Sequence, residues 1–133
     1  LELHSDNYTE LRNLGESVLS GINAKPTDQL SPKILLNDII TDLSDQHAII
    51  LNRSRDASIL VPGVSLLIFE MEPALFACVA ANEAERAAPD AILNDVQMMG
   101  ASGRIFMSGS YEDMERAREA IRKTLKEVKG RAR

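Results

Sequence analysis

Large rings are scarce in this sequence. Tryptophan is absent, and two tyrosines with three phenylalanines bring the aromatics to 4% of 133 residues. Alanine is plentiful instead, so the core is expected to form by close backbone approach over small side chains rather than around bulky rings. Cysteine occurs once, as Cys78, which excludes an intrachain disulfide. It lies in the alanine-rich run FACVAA and reads as an inert core thiol, compatible with a reducing cytoplasm. Positive charge is not in excess: 20 acids against 15 bases leave a net charge of −5, which argues against a general nucleic-acid binder. No apolar run approaches the roughly 18 residues of a membrane-spanning helix, and no secretory signal pattern is visible. The chain also lacks an initiator methionine and opens on LELH, so it is expected to be a fragment or a processed chain.

Catalytic constellations are equally thin. His4 and His47 are far apart and read as ordinary strand residues, and Cys78 has no neighbouring motif that would activate it. Asp90 and Asp95 flank a strand without metal-ligand spacing, and neither a Walker loop nor a dinucleotide fingerprint occurs. No enzyme, metal or cofactor is expected.

What is present is a regular alternation of elements. Hydrophobic residues make up 44% of the chain, outside the range of disordered sequences, and the length suits one ordinary domain. Residues 1–4 alternate apolar and polar as a half-buried strand does. Asn7-x-x-Glu10 has the form of a capping box, and Leu11, Leu14, Val18 and Ile22 follow at helical spacing, predicting a helix over 9–22. A linker is expected over 21–31. Ser31-Pro32 then reads as a helix start, with Leu36, Ile39, Ile40 and Leu43 on one face. Residues 47–51 read as an apolar, β-branched strand, 53–57 as a polar turn and 58–61 as another short strand. SLLIFEME over 65–72 is the strongest strand, with Leu67, Phe69 and Met71 sharing a face. Pro73 opens a helix through Ala74, Ala77, Ala81 and Ala84, small enough to lie close on a sheet, and Pro89-Asp90 ends it. The last helix starts at Ser110-x-x-Asp113 and buries Met114, Ala117, Ile121, Leu125 and Val128. Acids crowd its first turns and Arg122, Lys123, Lys126 and Lys129 its last, as the helix dipole favours.

Between these helices lies DVQMMGASGRIFMSG. Val96 to Met99 and Arg104 to Met107 read as two strands around a turn, Gly100-Ala101-Ser102-Gly103. Two glycines in four residues allow positive φ and close backbone approach. Main-chain N–H groups there, with the Ser102 hydroxyl, could hold a small polar or anionic ligand.

The chain also repeats itself. A shift of 103 positions carries Leu11, Leu14, Val18 and Ile22 onto Met114, Ala117, Ile121 and Leu125. Tyr8 falls on Tyr111, Ser5 on Ser108, Glu16 on Glu119, and LELH on RIFM. The N-terminus thus reads as the closing strand and helix of an earlier unit, followed by one complete copy.

The combination of EMEPALFACVAANEAERAA, DVQMMGASGRIF and the helix after SYEDMERA resembles a bacterial microcompartment (BMC) shell domain. It is similar in particular to the second domain of tandem, circularly permuted shell proteins of the carboxysome type. That likeness runs over residues 30–129, and Asn52-Arg53 adds to it. Residues 1–27 resemble the end of such a protein's first domain, and 28–133 one permuted domain.

The resemblance implies an α+β fold, an antiparallel sheet flanked by helices, preceded here by a partial second copy. It implies self-association into hexamers, or into trimers of tandem pairs that imitate hexamers, which tile with other shell proteins in the cytoplasmic shell of a microcompartment. It implies no cofactor and neither a nucleic-acid nor a membrane partner. Met99, Gly100, Ala101, Ser102 and Gly103 would line an axial pore for small polar metabolites. Asn52, Arg53 and Arg86 would serve edge and assembly contacts; Arg86 stands where the family usually carries an edge lysine, a departure that keeps the charge but changes its hydrogen-bonding geometry. In tandem relatives a Glu-Arg pair just before the first domain's closing strand gates the pore. The chain opens after that point, so no residue here is assigned to gating. The competing expectation is a small-ligand-binding α+β regulatory module that forms closed oligomers.

Overall fold

The computed structural model describes residues 3–53 and 58–132. They fall into two compact units, one of residues up to Ser31 together with the segment from Lys129 onward, the other spanning Pro32–Val128.

The smaller unit is built on helix α1 (Tyr8–Gly21). Asn7 caps it alone: its Oδ1 accepts from the N–H groups of Thr9 at 3.0 Å and Glu10 at 3.3 Å. Glu10 does not close the expected capping box, because its carboxylate accepts from the Ser5 hydroxyl instead. Leu3 and His4 lie outside any strand; Leu1 and Glu2 of that expected strand lie outside the described residues. The expected linker holds a 3₁₀ turn at Pro26–Asp28 and a parallel bridge from Leu30 to Arg131.

The larger unit is a four-stranded antiparallel sheet flanked by helices. Its strands are β1 (Lys33–Ile40), β2 (Ser65–Glu72), β3 (Ile92–Met99) and β4 (Ser102–Gly109), in the order β1-β2-β4-β3. Helices α3 (Phe76–Ala87) and α4 (Tyr111–Glu127) cover one face. Leu67, Phe69, Met71, Ile105 and Met107 point into that layer and meet the alanines of α3 and the stripe Met114, Ala117, Ile121 and Leu125 of α4, all buried. Val128, expected in that stripe, is a half-buried C-cap. Ser110 caps α4 with an oxygen that accepts from the Asp113 N–H. Helix α2 (Asp45–Asn52) lies on the other face, where Leu43, Ala48, Leu60, Leu66 and Phe106 form a second, smaller core.

Three expected elements take another form. The helix expected from Ser31-Pro32 is strand β1. It is apolar towards both layers, Ile34 and Ile39 towards α3 and α4 and Ile40 towards α2, and a bulge between Ile34 and Leu36 interrupts its alternation. Together these imitate a helical period. The strand expected at 47–51 is inside α2. The Ser44 hydroxyl oxygen accepts from the His47 N–H at 3.3 Å, and only the side carrying Ala48 and Leu51 packs inward, so cap and burial override β-branched propensity. No strand forms at 58–61. The Asn52 side chain donates to the Leu60 carbonyl and accepts from the Leu60 N–H, each at 2.9 Å, supplying the two bonds that a neighbouring strand would have made. Of the expected polar turn, residues 54–57 lie outside the described residues.

Cys78 is not a core thiol. On α3 the buried residues are Ala77, Ala80, Ala81 and Ala84, which leaves Cys78 exposed, its Sγ 4.0 Å from the Met98 sulfur.

Candidate functional site

The hairpin between β3 and β4 is tighter than its sequence implies. Met99 pairs directly with Ser102, so only Gly100 and Ala101 form the loop. Gly100 has φ +63 and Ala101 is not among the positive-φ residues, the φ pattern of a type II′ turn with glycine in its first central place. Both loop residues and Met99 are exposed, Ser102 is half-buried and Gly103 is buried. Gly103 answers a different demand from Gly100: a Cβ there would lie 2.4 Å from the Ala74 carbonyl oxygen and 2.7 Å from the Ala77 Cβ. The second glycine therefore lets α3 touch the sheet directly behind the turn.

A polar network supports the turn on the face away from α3 and α4. Ser102 and Arg104 share that face of β4, and Glu70 stands opposite Arg104 on β2. The Ser102 hydroxyl donates to Glu70 Oε1 at 2.8 Å, and Arg104 Nε lies 3.0 Å from Glu70 Oε2. On the other side of Arg104, Gln97 Nε2 donates to Asp95 Oδ2 at 2.8 Å. The hydrogen bond from Arg104, followed by that from Ser102, holds the Glu70 carboxyl below the usual glutamate range. The Ser102 hydroxyl is thus committed within the chain, which takes one donor from the anion site expected at the turn.

Sequence reasoning missed Glu70 and Arg104 as neighbours of the turn. The signal was available: Arg104 follows Ser102 by two, hence on the same strand face, and Glu70 is the first acid in the most apolar strand. Their pairing across β2 and β4 needed the register.

A folded-state pKa lowered in this way contributes stability that is complete above the unfolded-state value and is lost as pH falls through the lowered folded value. Glu70→Gln is expected to be less stable than wild type at neutral pH and to converge with it in acid, below the usual glutamate range. Urea midpoints measured from neutral pH into acid check this; a pH-independent gap would mean that Glu70 acts by packing alone.

The assembly residues expected from sequence are not brought together with the turn. Asn52 is half-buried and bound to Leu60, and Arg53 is the exposed C-cap of α2. Arg86 lies in the last turn of α3, exposed, with Nη1 3.4 Å from Glu83. Among the described residues no three His, Cys, Asp or Glu side chains converge as metal ligands, and no helix is long and apolar enough to cross a membrane.

No family profile matches the chain. Individual relatives do. The carboxysome shell protein CcmP of Synechococcus elongatus is 37% identical over 131 residues, covering 98% of this chain and 61% of that protein. The double ringed trimeric shell protein MSM0271 from the RMM microcompartment is 51% identical, with a TM-score of 0.95, over 98% of this chain and 64% of that one. The fused permuted hexameric shell protein MSM0275 from the same microcompartment is 34% identical, with a TM-score of 0.88, over 94% and 61%. The chain spans about three fifths of the length of each of these relatives. In fold, and in sequence along nearly its whole length, the chain is similar to shell proteins of the carboxysome and of the RMM microcompartment.

Proposed function

We propose that this chain is part of a structural shell protein of a bacterial microcompartment, one that assembles into trimeric, pseudohexameric tiles. The observation that carries this is the likeness, over 98% of this chain at 51% identity and a TM-score of 0.95, to a trimeric shell protein. In this reading the protein works in the shell of a cytoplasmic compartment, by geometry rather than by catalysis, and its partners are copies of itself and other shell proteins. Stacking of two such rings is part of the reading, since the likeness extends to a protein described as double ringed.

The hairpin of each copy would face the symmetry axis, with Met99, Gly100, Ala101, Ser102 and Gly103 at or near a pore for small polar metabolites. Supporting this, the loop is short, exposed, and held from both sides, by α3 behind Gly103 and by the Glu70 network below Ser102. Arg86, and with it Asn52 and Arg53, would serve the tile edges.

Residues 1–27 would be the closing strand and helix of a preceding shell domain. The 103-residue repeat supports this, and so does burial. The stripe of α4 is buried, whereas of its counterparts Leu14 and Val18 on α1 and Ile22 at its C-cap are exposed and Leu11 is half-buried, as expected of a helix whose own sheet lies elsewhere in a longer protein.

Ser102→Trp tests the pore. Symmetry repeats the indole around the axis, so metabolite flux through reconstituted shells should fall several-fold while assembly persists, the melting temperature falling only by what the lost Ser102–Glu70 hydrogen bond contributes. Unchanged flux would put the hairpin away from the axis.

A further inference from the structure

Between Met99 and Gly103, Ser102 alone carries a side-chain oxygen or nitrogen. What its hydroxyl can offer a passing solute depends on where its one proton is committed. A serine hydroxyl has one proton to give and lone pairs to receive, whereas an ionised carboxylate can only receive. Ser102 Oγ and Glu70 Oε1 are 2.8 Å apart, so while Glu70 is ionised the bond has one direction, and Ser102 donates. Arg104 keeps Glu70 in that state. Its Nε lies 3.0 Å from Oε2 and its Nη2 3.4 Å from Oε1, and these bonds, followed by that from Ser102, hold the carboxyl below the usual glutamate range.

The proton of Ser102 thus points towards β2, and its half-buried oxygen has only lone pairs left for other partners. A hydroxyl tied in this way receives a hydrogen bond from a solute and gives none, the reverse of what an anion requires. Charge does not undo this preference, because the carboxylate and the guanidinium behind the hydroxyl neutralise each other.

We infer that Glu70 is a positioning residue that makes Ser102 a hydrogen-bond acceptor at the pore, so that small neutral solutes bearing N–H or O–H groups pass in preference to solutes of the same shape that can only accept. This rests on the pore reading above and adds to it the class of solute, together with a residue outside the turn that sets it. Every copy around the axis holds its hydroxyl in the same direction, so the preference is repeated rather than averaged away.

Urea and acetone are the probes: both are planar around a carbonyl, but urea is rich in N–H donors and acetone has none. Their fluxes are measured at neutral pH through shells reconstituted from the natural full-length protein, wild type beside Ser102→Ala and Glu70→Gln. Main-chain groups of the turn are the same in all three and drop out of the comparison. The ratio of urea to acetone flux should fall several-fold in Ser102→Ala, as the loss of one hydrogen bond implies. It should fall further in Glu70→Gln. A glutamine whose carbonyl faces Arg104 sets its amide nitrogen on Ser102, so the hydroxyl accepts there and turns its proton to the solute, which favours acetone. A Glu70 that serves the fold alone would leave the ratio unmoved, so a wild-type ratio in Glu70→Gln overturns the inference. If Glu70→Gln does not assemble, an unchanged ratio in Ser102→Ala overturns it instead. Ser102→Trp separates this from the pore reading. Should it reduce flux while the ratio ignores the other two substitutions, only the solute preference fails; should it leave flux unchanged, both fail.

Discussion

Gly103→Val is expected to destabilise the fold by about 3 kcal/mol or more, at the upper end of overpacking substitutions. The Cβ alone would sit 2.4 Å from the Ala74 carbonyl oxygen and 2.7 Å from the Ala77 Cβ. Neither neighbour is the movable end of a long side chain. One is backbone of the turn that leads into α3; the other is a methyl group on the face where Ala80, Ala81 and Ala84 are also buried. Relief would require α3 to lift from the sheet along its length, which opens the core elsewhere. Gly100 provides the contrast. A Cβ there meets nothing within 4 Å, but the residue has φ +63, so Gly100→Ala should cost only the left-handed backbone penalty of ~1–2 kcal/mol. Urea denaturation of Gly103→Val, Gly103→Ala and Gly100→Ala compares the two effects. A Gly103→Ala variant no less stable than Gly100→Ala would show that the helix and sheet are not in close contact behind the turn.

Phe69→Ala is expected to cost about 3–5 kcal/mol, the range for deleting a fully buried aromatic ring. Phe69 heads the fully buried side chains by volume and belongs to the main cluster between the sheet and α3 and α4. With no tryptophan and only three phenylalanines in the chain, few side chains could extend into the space left behind. The alanines of α3 are too short to collapse into it, so most of the cavity should persist. Thermal unfolding with a matched Phe69→Leu variant checks the mechanism: leucine should recover much of the loss by refilling volume. A loss below ~1.5 kcal/mol, the cost of a volume-conserving swap, would mean that this core repacks freely.

The turn was the most legible part of the candidate site because glycine and its flanking apolar runs are local signals. The reasons for its two glycines were not equally legible. Gly100 is required by its own backbone angle, a property of the turn itself. Gly103 is required by Ala74 and Ala77, residues of another element, so its role appears only when α3 lies on β4. The same holds for Ser102, whose partner Glu70 is 32 positions away.

By itself, the sequence determined the elements whose ends carry their own chemistry: α1 behind Asn7, β2 as a strand with Leu67, Phe69 and Met71 on one face, α3 between Pro73 and Pro89, the β3–β4 hairpin at Gly100, and α4 behind the Ser110 cap. It also determined that the core would rest on small side chains, since alanine was available and large rings were not. Only the tertiary structure decided residues 31–53 and 58–61. There the apolar residues serve two layers at once, and a bulge displaces their alternation, so periodicity does not distinguish strand from helix. Which face of α2 packs, which residue takes the place of a neighbouring strand at Leu60, and which side of α3 exposes Cys78 all depend on what lies across from them. A residue's spacing along the chain states its own period; it does not state which surface will cover it.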